Sequence, residues 1–423
     1  MERFNITSDR LRDMAEEYGS FYLYDGAIIE GQAKSLKEAF SGIDFLYSVK
    51  CNPYPKILQT LCDLGYGADA ASAGEVLRAE EAGFLPEDIY YVAPGKTRSD
   101  IRRTWGKCTL IADSLDEVRW IDEEAERAAA PDDAPIHIGL RINPDFGFEN
   151  GDPAPSKFGV DEDQAIAALS HWHGAAGMMS LRRVSVKGLQ VHLRSQVLDT
   201  EALRIYYHKV LELADRFGEV CGGLDFVDMG SGIGVPYAPG DQPLDIRTLG
   251  KAVEEELCTF RKKWPGTRIM IETGRYLTCQ AGLFVTTVVD RKVSCGRTYI
   301  ILRDTMNQFL RPSLARLVVH YAREHAPEGR EPLFTAADAF PFWVVKRVGG
   351  ADKSSGSAGA SDRMETVTLT GRLCTAADVI AEDVSLPKLS PGDAVIIGNA
   401  GSYAATLSPW AFSSMEKPTE FFI

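Results

Sequence analysis

The chain has 423 residues with 46 basic and 60 acidic side chains, which give a formal net charge of −14. Its length is too great for one simple hydrophobic core and is typical of two domains. The negative charge argues against nucleic acid or an anionic membrane surface as a partner. Residues 1–20 lack the apolar core of a signal peptide, and no apolar run is long enough to span a bilayer. We therefore expect a cytoplasmic protein with no membrane or nucleic-acid partner.

The cysteines show no metal-site pattern. No two of them form a CxxC pair, and none lies at a zinc-ligand spacing from a histidine. A chain of this length without a signal peptide is expected to keep its thiols reduced. We predict no metal site and no disulfide framework.

Short β-rich runs alternate with amphipathic segments between residues 43 and 272. The runs cover residues 44–49, 67–71, 88–93, 109–113, 136–142, 186–192, 225–229 and 268–272. Residues 73–82 and 200–217 between them carry apolar side chains at helical spacing. This number and length of βα units favours a (β/α)₈ barrel. A doubly wound parallel sheet is the alternative, but it needs fewer strands.

The pattern of predicted elements changes after residue 274. Further β-rich runs follow at residues 283–293, 298–304, 342–348, 365–371 and 393–401, with no comparable helical segments between them. Glycine and proline punctuate this part, which is typical of an antiparallel sandwich or barrel. Residues 347–363 are rich in glycine, serine and alanine, and we predict that they form a mobile loop.

Chemistry in a (β/α)₈ barrel gathers at the carboxyl ends of the strands. The residues that the sequence places there are Lys50, Asp69, Arg141, His192, Gly230, Ser231, Gly232 and Glu272. Each has a purely structural interpretation, because a strand-end lysine is usually solvated and a Gly-Ser-Gly turn is common. Together they supply an amine, an imidazole, two carboxylates and a small-residue loop.

This combination favours pyridoxal-phosphate (PLP) chemistry. A lysine forms a Schiff base with the cofactor, a carboxylate keeps the pyridine nitrogen protonated, and N–H groups of a glycine loop bind the phosphate. The protonated ring accepts the electrons of a bond that breaks at the substrate's α-carbon. The spacing of these residues leaves the structural interpretation open.

Eight motifs occur in a fixed order along the chain. They are YSVKCNP (47–53), ADAASAGEV (68–76), SKFGV (156–160), VDMGSGIGVPY (227–237), ETGRYL (272–277), GRLCTAADV (371–379), PGDAV (391–395) and NAGSYAATLS (399–408). Together they resemble the fold-type III PLP-dependent decarboxylases, the ornithine/diaminopimelate decarboxylase family. The resemblance implies an alanine racemase-like PLP-binding barrel at residues 25–276. It also implies a β-domain that combines residues 1–24 with 277–423.

The resemblance also implies roles for individual residues. Lys50 would form the Schiff base, Glu272 would pair with the pyridine nitrogen, and His192 would stack on the ring. Asp69 would lie beside Lys50. The phosphate would be held by Ser195, Gly230, Ser231, Gly232, Gly274, Arg275 and Tyr403.

A second set of residues implies a dimer. Cys374 resembles the family's cysteine that enters the site from the second subunit and returns a proton to the α-carbon after CO₂ leaves. Lys157 and Asp378 match a pair that meets across the family's dimer interface. The expected working unit is therefore a homodimer with shared active sites and a small-molecule amino-acid substrate.

Some positions depart from the family's motifs. Arg194 and Ser231 stand where the family usually has glycine, and Thr273 replaces a proline. Thr375 occupies the position of a carboxylate that binds the distal amine of ornithine or diaminopimelate. Arg311 resembles the arginine that diaminopimelate decarboxylases use for a distal carboxylate. The candidate substrate-binding residues are Arg194, Arg311, Thr375 and Asp378, with Arg372 as a further source of positive charge.

These departures predict a substrate whose far end is acidic or neutral. Residues 299–312 and 371–379 look most similar to a branch that decarboxylates conjugated amino acids. Its members include siderophore-pathway enzymes for citryl-diamino acids and enzymes for carrier-bound aminoacyl groups. We therefore expect an α-decarboxylase of a conjugated diamino acid, such as a citryl-diamino acid in siderophore biosynthesis.

Three alternatives stay open at this point. Diaminopimelate decarboxylation for lysine biosynthesis is supported by Arg311 and weakened by Thr375, and decarboxylation of another basic amino acid is a related alternative. A non-catalytic binding protein that has lost PLP would lack a counterpart of Lys50, Glu272 or Cys374, yet all three are present. A racemase of the alanine racemase type would pair the pyridine nitrogen with arginine, which Glu272 contradicts.

Overall fold

The computed structural model describes residues 2–128, 134–148, 151–173, 181–321, 338–347 and 363–423. Residues 348–362 of the predicted mobile loop thus lie outside the described part. The chain forms two compact units. The barrel unit comprises Glu30–Gly234 and Pro243–Gly274, and the β-unit comprises Met1–Ile29, Val235–Gln242 and Arg275–Ile423. Within the described residues, every helix is too short or too polar to cross a membrane.

The amino-terminal segment belongs to the β-unit. It contains helix α1 (Ser8–Tyr18) and strand β1 (Phe21–Tyr24). The hydroxyl of Thr7 caps α1 by accepting a hydrogen bond from the Arg10 N–H. Leu11 and Met14 on one face of α1 are buried in the core of this unit, which explains why this polar-looking opening folds as a helix.

Each of the eight predicted β-rich runs contains a strand of a closed parallel barrel within the described residues. The strands are β2 (Asp44–Ser48), β3 (Gly67–Ala70), β4 (Ile89–Val92), β5 (Thr109–Ala112), β6 (Ile136–Asn143), β8 (Val184–Gln190), β9 (Phe226–Asp228) and β10 (Arg268–Thr273), and a short β7 (Val160–Asp161) extends β6. Their order is β5–β4–β3–β2–β10–β9–β8–β6, and pairing of β6 with β5 closes the ring. The predicted (β/α)₈ barrel is confirmed.

A helix precedes the first barrel strand, and further helices connect the successive strands, as parallel neighbours require. They are α2 (Gly26–Ala39), α3 (Pro55–Asp63), α4 (Ala73–Glu81), α5 (Arg98–Thr104), α6 (Leu115–Ala128), α7 (Glu162–His173), α8 (Thr200–Cys221) and α9 (Ile246–Lys263). Helix α8 shows why the sequence folds in this way. Asp199 caps its first turn, Gly222 ends it in the left-handed conformation, and its apolar side faces inward.

Apolar side chains fill the interior of the barrel. Side chains from different strands form one buried cluster, which consists of Leu46, Tyr90, Val92, Ile111, Phe226 and Met270. The ring of Phe226 occupies the space where a side chain at residue 188 would lie, so glycine is required there. Because this layer is apolar, the polar side chains at the carboxyl ends of the strands lie next to a region that excludes water.

The β-unit is completed by a curled sheet and two further helices. Its remaining elements are α10 (Arg275–Thr278), β11 (Gly282–Ser294), β12 (Arg297–Leu302), α11 (Leu310–Tyr321), β13 (Phe342–Val345), β14 (Met364–Thr370), β15 (Val379–Pro387), β16 (Ala394–Ile397) and β17 (Thr419–Phe422). The sheet order is β13–β16–β11–β12–β14–β15, and β1 joins β11 to β17. The predicted C-terminal β-domain is confirmed.

Two details of this domain differ from the sequence prediction. The sheet is mixed and not purely antiparallel, because β12 pairs in parallel with β14 and β1 pairs in parallel with β17. Parallel pairing needs a long connection, and the segment between β12 and β14 contains α11 and β13. Helix α11 was not predicted, since its β-rich neighbours hid a single stretch of helical spacing.

Candidate active site

The carboxyl ends of five barrel strands bring together the side chains of the candidate active site. Lys50 lies in a single 3₁₀ turn, Val49–Cys51, that directly follows β2. Asp69 lies near the end of β3, and Glu272 lies near the end of β10. Gln190 and Asp228 are the last residues of β8 and β9. Parallel strands end at the same rim of a barrel, which is why residues far apart in sequence meet here.

Lys50 forms an ion pair at this rim. Its amine lies 2.5 Å from Oδ2 of Asp69, and Asp69 is almost completely buried while the Lys50 side chain is 40% exposed. Burial, together with the negative charge of Glu272, raises the pKa of Asp69 even though Lys50 opposes this effect. The pair orients the amine at the mouth of the barrel and leaves it accessible.

Glu272 lies in a buried polar network. Nε2 of Gln190 donates a hydrogen bond of 2.9 Å to Oε1 of Glu272. The Glu272 backbone N–H donates to the carbonyl of Gly230, and the Gly230 N–H donates to Oδ1 of Asp228 at 2.9 Å. One network therefore ties the carboxylate of Glu272 to the loop that begins at Gly230.

The loops after β8 and β9 are paired with each other. The Ser231 N–H donates to Nδ1 of His192 at 3.0 Å, and the Ser195 hydroxyl lies 3.3 Å from Nε2 of the same ring. Gly230 has a φ of +65°, and a Cβ there would clash with the carbonyl oxygen of Val191. Glycine is thus required by both the backbone conformation and the close approach of the two loops.

Gly274 has a comparable role at the end of β10. A Cβ on this residue would overlap the thiol of Cys51, which follows Lys50 in the chain. The absence of a side chain lets the Glu272 strand end pack directly against the turn that carries Lys50. Arg194 lies elsewhere on the rim, where its guanidinium stacks on the ring of Phe148 with 5.4 Å to the ring centroid.

The predicted residues of the β-unit form a second cluster. The guanidinium carbons of Arg275 and Arg311 lie 4.6 Å and 5.8 Å from the centroid of the Tyr403 ring. Tyr403 has a φ of +53°, which is uncommon for a non-glycine residue and is frequent at functional sites. Arg311 also lies 5.9 Å from the ring centroid of Tyr237.

Arg311 is the largest fully buried side chain of the described residues, with 2% of its surface exposed. In the part of the chain that the structure describes, its Nε and Nη2 atoms have no hydrogen-bond partner. Buried guanidinium N–H groups without an acceptor are energetically unfavourable, so these two atoms call for an anionic or carbonyl partner.

Cys374 lies on a short turn between β14 and β15, and its side chain is exposed. Asp378 closes this turn: it is buried, its Oδ2 accepts from the Leu373 N–H at 3.0 Å, and its Oδ1 accepts from the Thr305 hydroxyl. Thr375 is half-buried beside Cys374. The contacts of Asp378 thus lie within its own unit and hold the Cys374 turn in place.

The remaining predicted contacts involve exposed cations. Lys157, in the barrel unit, places its amine 4.9 Å from the centroid of the Phe158 ring. Arg372 donates from Nε to the carbonyl of Arg303 at 2.7 Å. The substrate contacts of Arg372 and Asp378, and the intersubunit pairing of Lys157 with Asp378, stay predictions.

The side chains of the barrel rim fit a PLP cofactor. The described cluster contains three carboxyl groups and the amine of Lys50, so negative charge is in excess. Oε1 of Gln190 is buried and, among the described residues, no donor reaches it. A ring with a protonated nitrogen supplies the missing positive charge and an N–H donor. When bound, PLP offers an aldehyde to an amine and draws electrons from the substrate's α-carbon.

Comparison with known proteins decides the family. Residues 27–279 match the family model described as the pyridoxal binding domain of pyridoxal-dependent decarboxylases. This chain belongs to the pyridoxal-dependent decarboxylases. Its cofactor is pyridoxal phosphate, and its chemistry is the decarboxylation of an amino acid.

Similar proteins cover nearly all of this decarboxylase. The L-glutamyl-[BtrI acyl-carrier protein] decarboxylase of Niallia circulans is 31% identical over 414 residues, which are 95% of this chain and 87% of that protein. A diaminopimelate decarboxylase of Thermoplasma acidophilum is 28% identical over 430 residues, 99% of this chain and 91% of that protein. The crystal structure of Helicobacter pylori diaminopimelate decarboxylase with L-lysine has a TM-score of 0.75 at 25% identity, and covers 96% of this chain and 91% of that one.

The sequence analysis missed two residues of the site of this decarboxylase. Gln190 and Asp228 were both inside predicted strands, in the letters LQVH and VDMG, but only their neighbours His192 and Gly230 were singled out. A polar residue at the end of an otherwise apolar barrel strand was the available signal. Glu272 was already predicted from the sequence, but its contact with these two residues became apparent only when the strands were placed side by side.

Proposed function

We propose that this decarboxylase removes the α-carboxylate of an amino acid whose far end is anionic or conjugated. A citryl-diamino acid in siderophore biosynthesis is the specific substrate we favour. Lys50 acts as the Schiff-base residue, Glu272 faces the pyridine nitrogen, and His192 stacks on the ring. The loop around Gly230 and the hydroxyl of Ser195 take part in binding the phosphate.

The buried guanidinium of Arg311 carries the proposal about the substrate. Its Nε and Nη2 atoms present the two adjacent donors that a carboxylate accepts, and no acceptor occupies them within the described residues. Arg275 contacts the same ring, that of Tyr403, and adds positive charge to the same cluster. Such a cluster favours a carboxylate and repels a bare ammonium group.

Thr375 supports the same view of the substrate. It offers a neutral hydroxyl where ornithine and diaminopimelate decarboxylases have a carboxylate for the distal amine. Losing this charge-assisted contact costs roughly 1.5–3 kcal/mol, about ten- to a hundredfold in affinity for a free diamino acid. A conjugated amine, which carries no charge, does not need that contact.

Diaminopimelate is the second candidate substrate. Arg311 favours it, because diaminopimelate carries a distal carboxylate, and several similar proteins are named diaminopimelate decarboxylases. Thr375 disfavours it for the reason just given. The similar protein from Niallia circulans is named for a glutamyl group on a carrier protein, which supports a conjugated substrate for this chain as well.

Replacement of Arg311 tests the proposal. The purified enzyme should be assayed with citryl-diaminopropionate, diaminopimelate, ornithine, lysine and arginine, with the products identified by mass spectrometry. We expect Arg311→Met to lower kcat/KM for the citryl conjugate by on the order of a hundredfold, because a charge-assisted bidentate contact is lost. Arg316→Met, on the same helix but paired with Glu382 at the surface, is the matched control and should change little. Efficient turnover of a free diamino acid with none of the conjugate would contradict the proposal.

We also infer that the working unit is a homodimer in which Cys374 serves the site of the other subunit. The exposed position of Cys374 on its turn supports this inference. Mixing the inactive variants Lys50→Ala and Cys374→Ala should restore activity, because mixed dimers contain one site with both residues intact. Random mixing should return about a quarter of the wild-type activity per site, since half of the dimers are mixed. No recovery after refolding the two variants together, although dimers form, would show that each site is built by one chain.

A further inference from the structure

We propose that Asp228 is a positioning residue that stays protonated and donates a hydrogen bond to the carboxylate of Glu272. The inference concerns the cofactor side of the site and is independent of the substrate. It also explains why a second carboxyl group lies buried beside the one that faces the pyridine nitrogen.

The strand register places Asp228 between its two polar neighbours. Asp228 ends β9, opposite Gln190 of β8 and opposite Met270 of β10. Glu272 lies two residues beyond Met270, and its N–H donates to the carbonyl of Gly230. Asp228 has no exposed surface, so its hydrogen bonds depend on buried partners.

The available donors require a proton on Asp228. Its Oδ1 accepts from the Gly230 N–H, whereas its buried Oδ2 lacks a donor in the described structure. The neighbour of this carboxyl is Glu272, which as a carboxylate only accepts hydrogen bonds. Two ionised carboxylates in contact would repel each other strongly in a dry site. One proton converts this repulsion into a short, charge-assisted hydrogen bond.

The electrostatic surroundings place that proton on Asp228. Burial, followed by the charge and hydrogen bond of Glu272, raises its pKa well above the ordinary value, and the Gly230 N–H opposes this only in part. Burial also keeps the nearby phenols neutral. The titratable groups that face Asp228 are Asp69, Glu272, Tyr90, Tyr206 and Tyr207.

As a consequence, the three carboxyl groups differ in charge and in role. Asp69 pairs with Lys50, Asp228 is neutral, and Glu272 retains the negative charge that a protonated ring nitrogen requires. Asp228 also anchors the first N–H of the glycine loop. The buried Asp228 thus fixes the orientation of the Glu272 carboxylate and holds the glycine loop next to it.

The proton makes stability depend on pH in a defined direction. An aspartate in the unfolded chain loses its proton near its usual pKa of about 3.9, while folded Asp228 keeps it to a higher pH. In this interval the folded state binds more protons, so the contribution of Asp228 to stability is fully present below the unfolded pKa and is lost as pH rises through the folded pKa. Asparagine does not titrate, so Asp228→Asn should not show this pH-dependent loss of stability.

The test compares Asp228→Asn and Asp228→Ala with the wild type, first without the cofactor. The infrared difference spectrum of the apoprotein at neutral pH should show a carboxylic-acid carbonyl band that Asp228→Asn lacks. As pH rises from about 4 toward the folded pKa of Asp228, the wild-type folding constant should fall by up to tenfold per pH unit relative to that of Asp228→Asn. Asp225→Asn, which alters an exposed carboxylate next to β9, is the control and should leave the band intact.

The activity of the PLP-loaded enzyme gives the second readout. Asparagine keeps both hydrogen bonds, since its oxygen accepts from Gly230 and its NH₂ group donates to Glu272. We therefore expect Asp228→Asn to restore kcat to within about threefold of the wild type, while Asp228→Ala loses about 10–100-fold. An equal loss in both variants, or an infrared spectrum without the acid band, overturns the proposal. Should Asp228→Ala fail to fold, the band and the activity of Asp228→Asn still decide it.

Discussion

Replacing Lys50 by alanine should abolish turnover and the borohydride-bleachable visible absorption of the bound cofactor. The amine is the group at the barrel rim that is both accessible and held by a buried carboxylate. Without it, no covalent attachment of PLP to the protein forms. We expect kcat to fall by on the order of 10⁴-fold or more, as for the loss of an essential nucleophile. Borohydride reduction followed by peptide mass spectrometry should place the label on Lys50 in the wild type.

The controls separate chemistry from folding. Lys50→Ala leaves the buried carboxylate of Asp69 without its cation, which lowers stability. Adding Asp69→Asn to this variant should restore the unfolding midpoint but not the activity, because an amide needs no counter-charge. Lys56→Ala removes an exposed lysine on the next helix and should behave as the wild type. Borohydride labelling of another lysine in the wild type would refute the assignment.

Replacing Glu272 by glutamine should give the next largest loss. The amide still accepts the hydrogen bond from Gln190, but it carries no negative charge to keep the ring nitrogen protonated. The ring is then a weaker electron acceptor, so kcat should fall by roughly 10²–10³-fold while KM changes less. Steady-state kinetics of enzyme with a verified PLP content measures the two effects separately.

Gln190→Met provides the graded comparison for this prediction. It removes the hydrogen bond to Oε1 of Glu272 but keeps the charge, so we expect a smaller loss, about tenfold in kcat. If kcat is lowest for Glu272→Gln, intermediate for Gln190→Met and highest for the wild type, the charge of Glu272 is the main contribution. Equal activity of Glu272→Gln and the wild type would mean that another group faces the ring nitrogen.

The barrel could be read from the sequence because each strand carries its own signal. Runs such as 44–49 and 268–272 are short and mostly apolar, and this local property survives in the folded structure. Lys50, Asp69 and Glu272 stood out for the same reason, since each lies at the end of such a run. Their meeting at one rim then follows from the geometry of parallel strands.

The β-unit was harder to predict from local signals. Its strands are recognisable, but the parallel pairing of β12 with β14 depends on which strands lie side by side after the intervening segment has folded. Helix α11 was hidden because twelve residues of helical spacing lie between β-rich runs. Strand neighbours and register are long-range properties, and a single sequence does not encode them in adjacent residues.

The sequence by itself determined the family and the cofactor of this protein, because the residue types on which the proposed chemistry rests are few and lie at recognisable positions: Lys50 and Glu272 after barrel strands, and Cys374 in its motif. The tertiary structure decided how those groups are charged and supported. Burial leaves Nε and Nη2 of Arg311 without an acceptor among the described residues, and the proposed proton on Asp228 follows from its contact with Glu272. The physical reason is that hydrogen-bond partners and desolvation depend on the distances between strands, which exist only once the chain has folded.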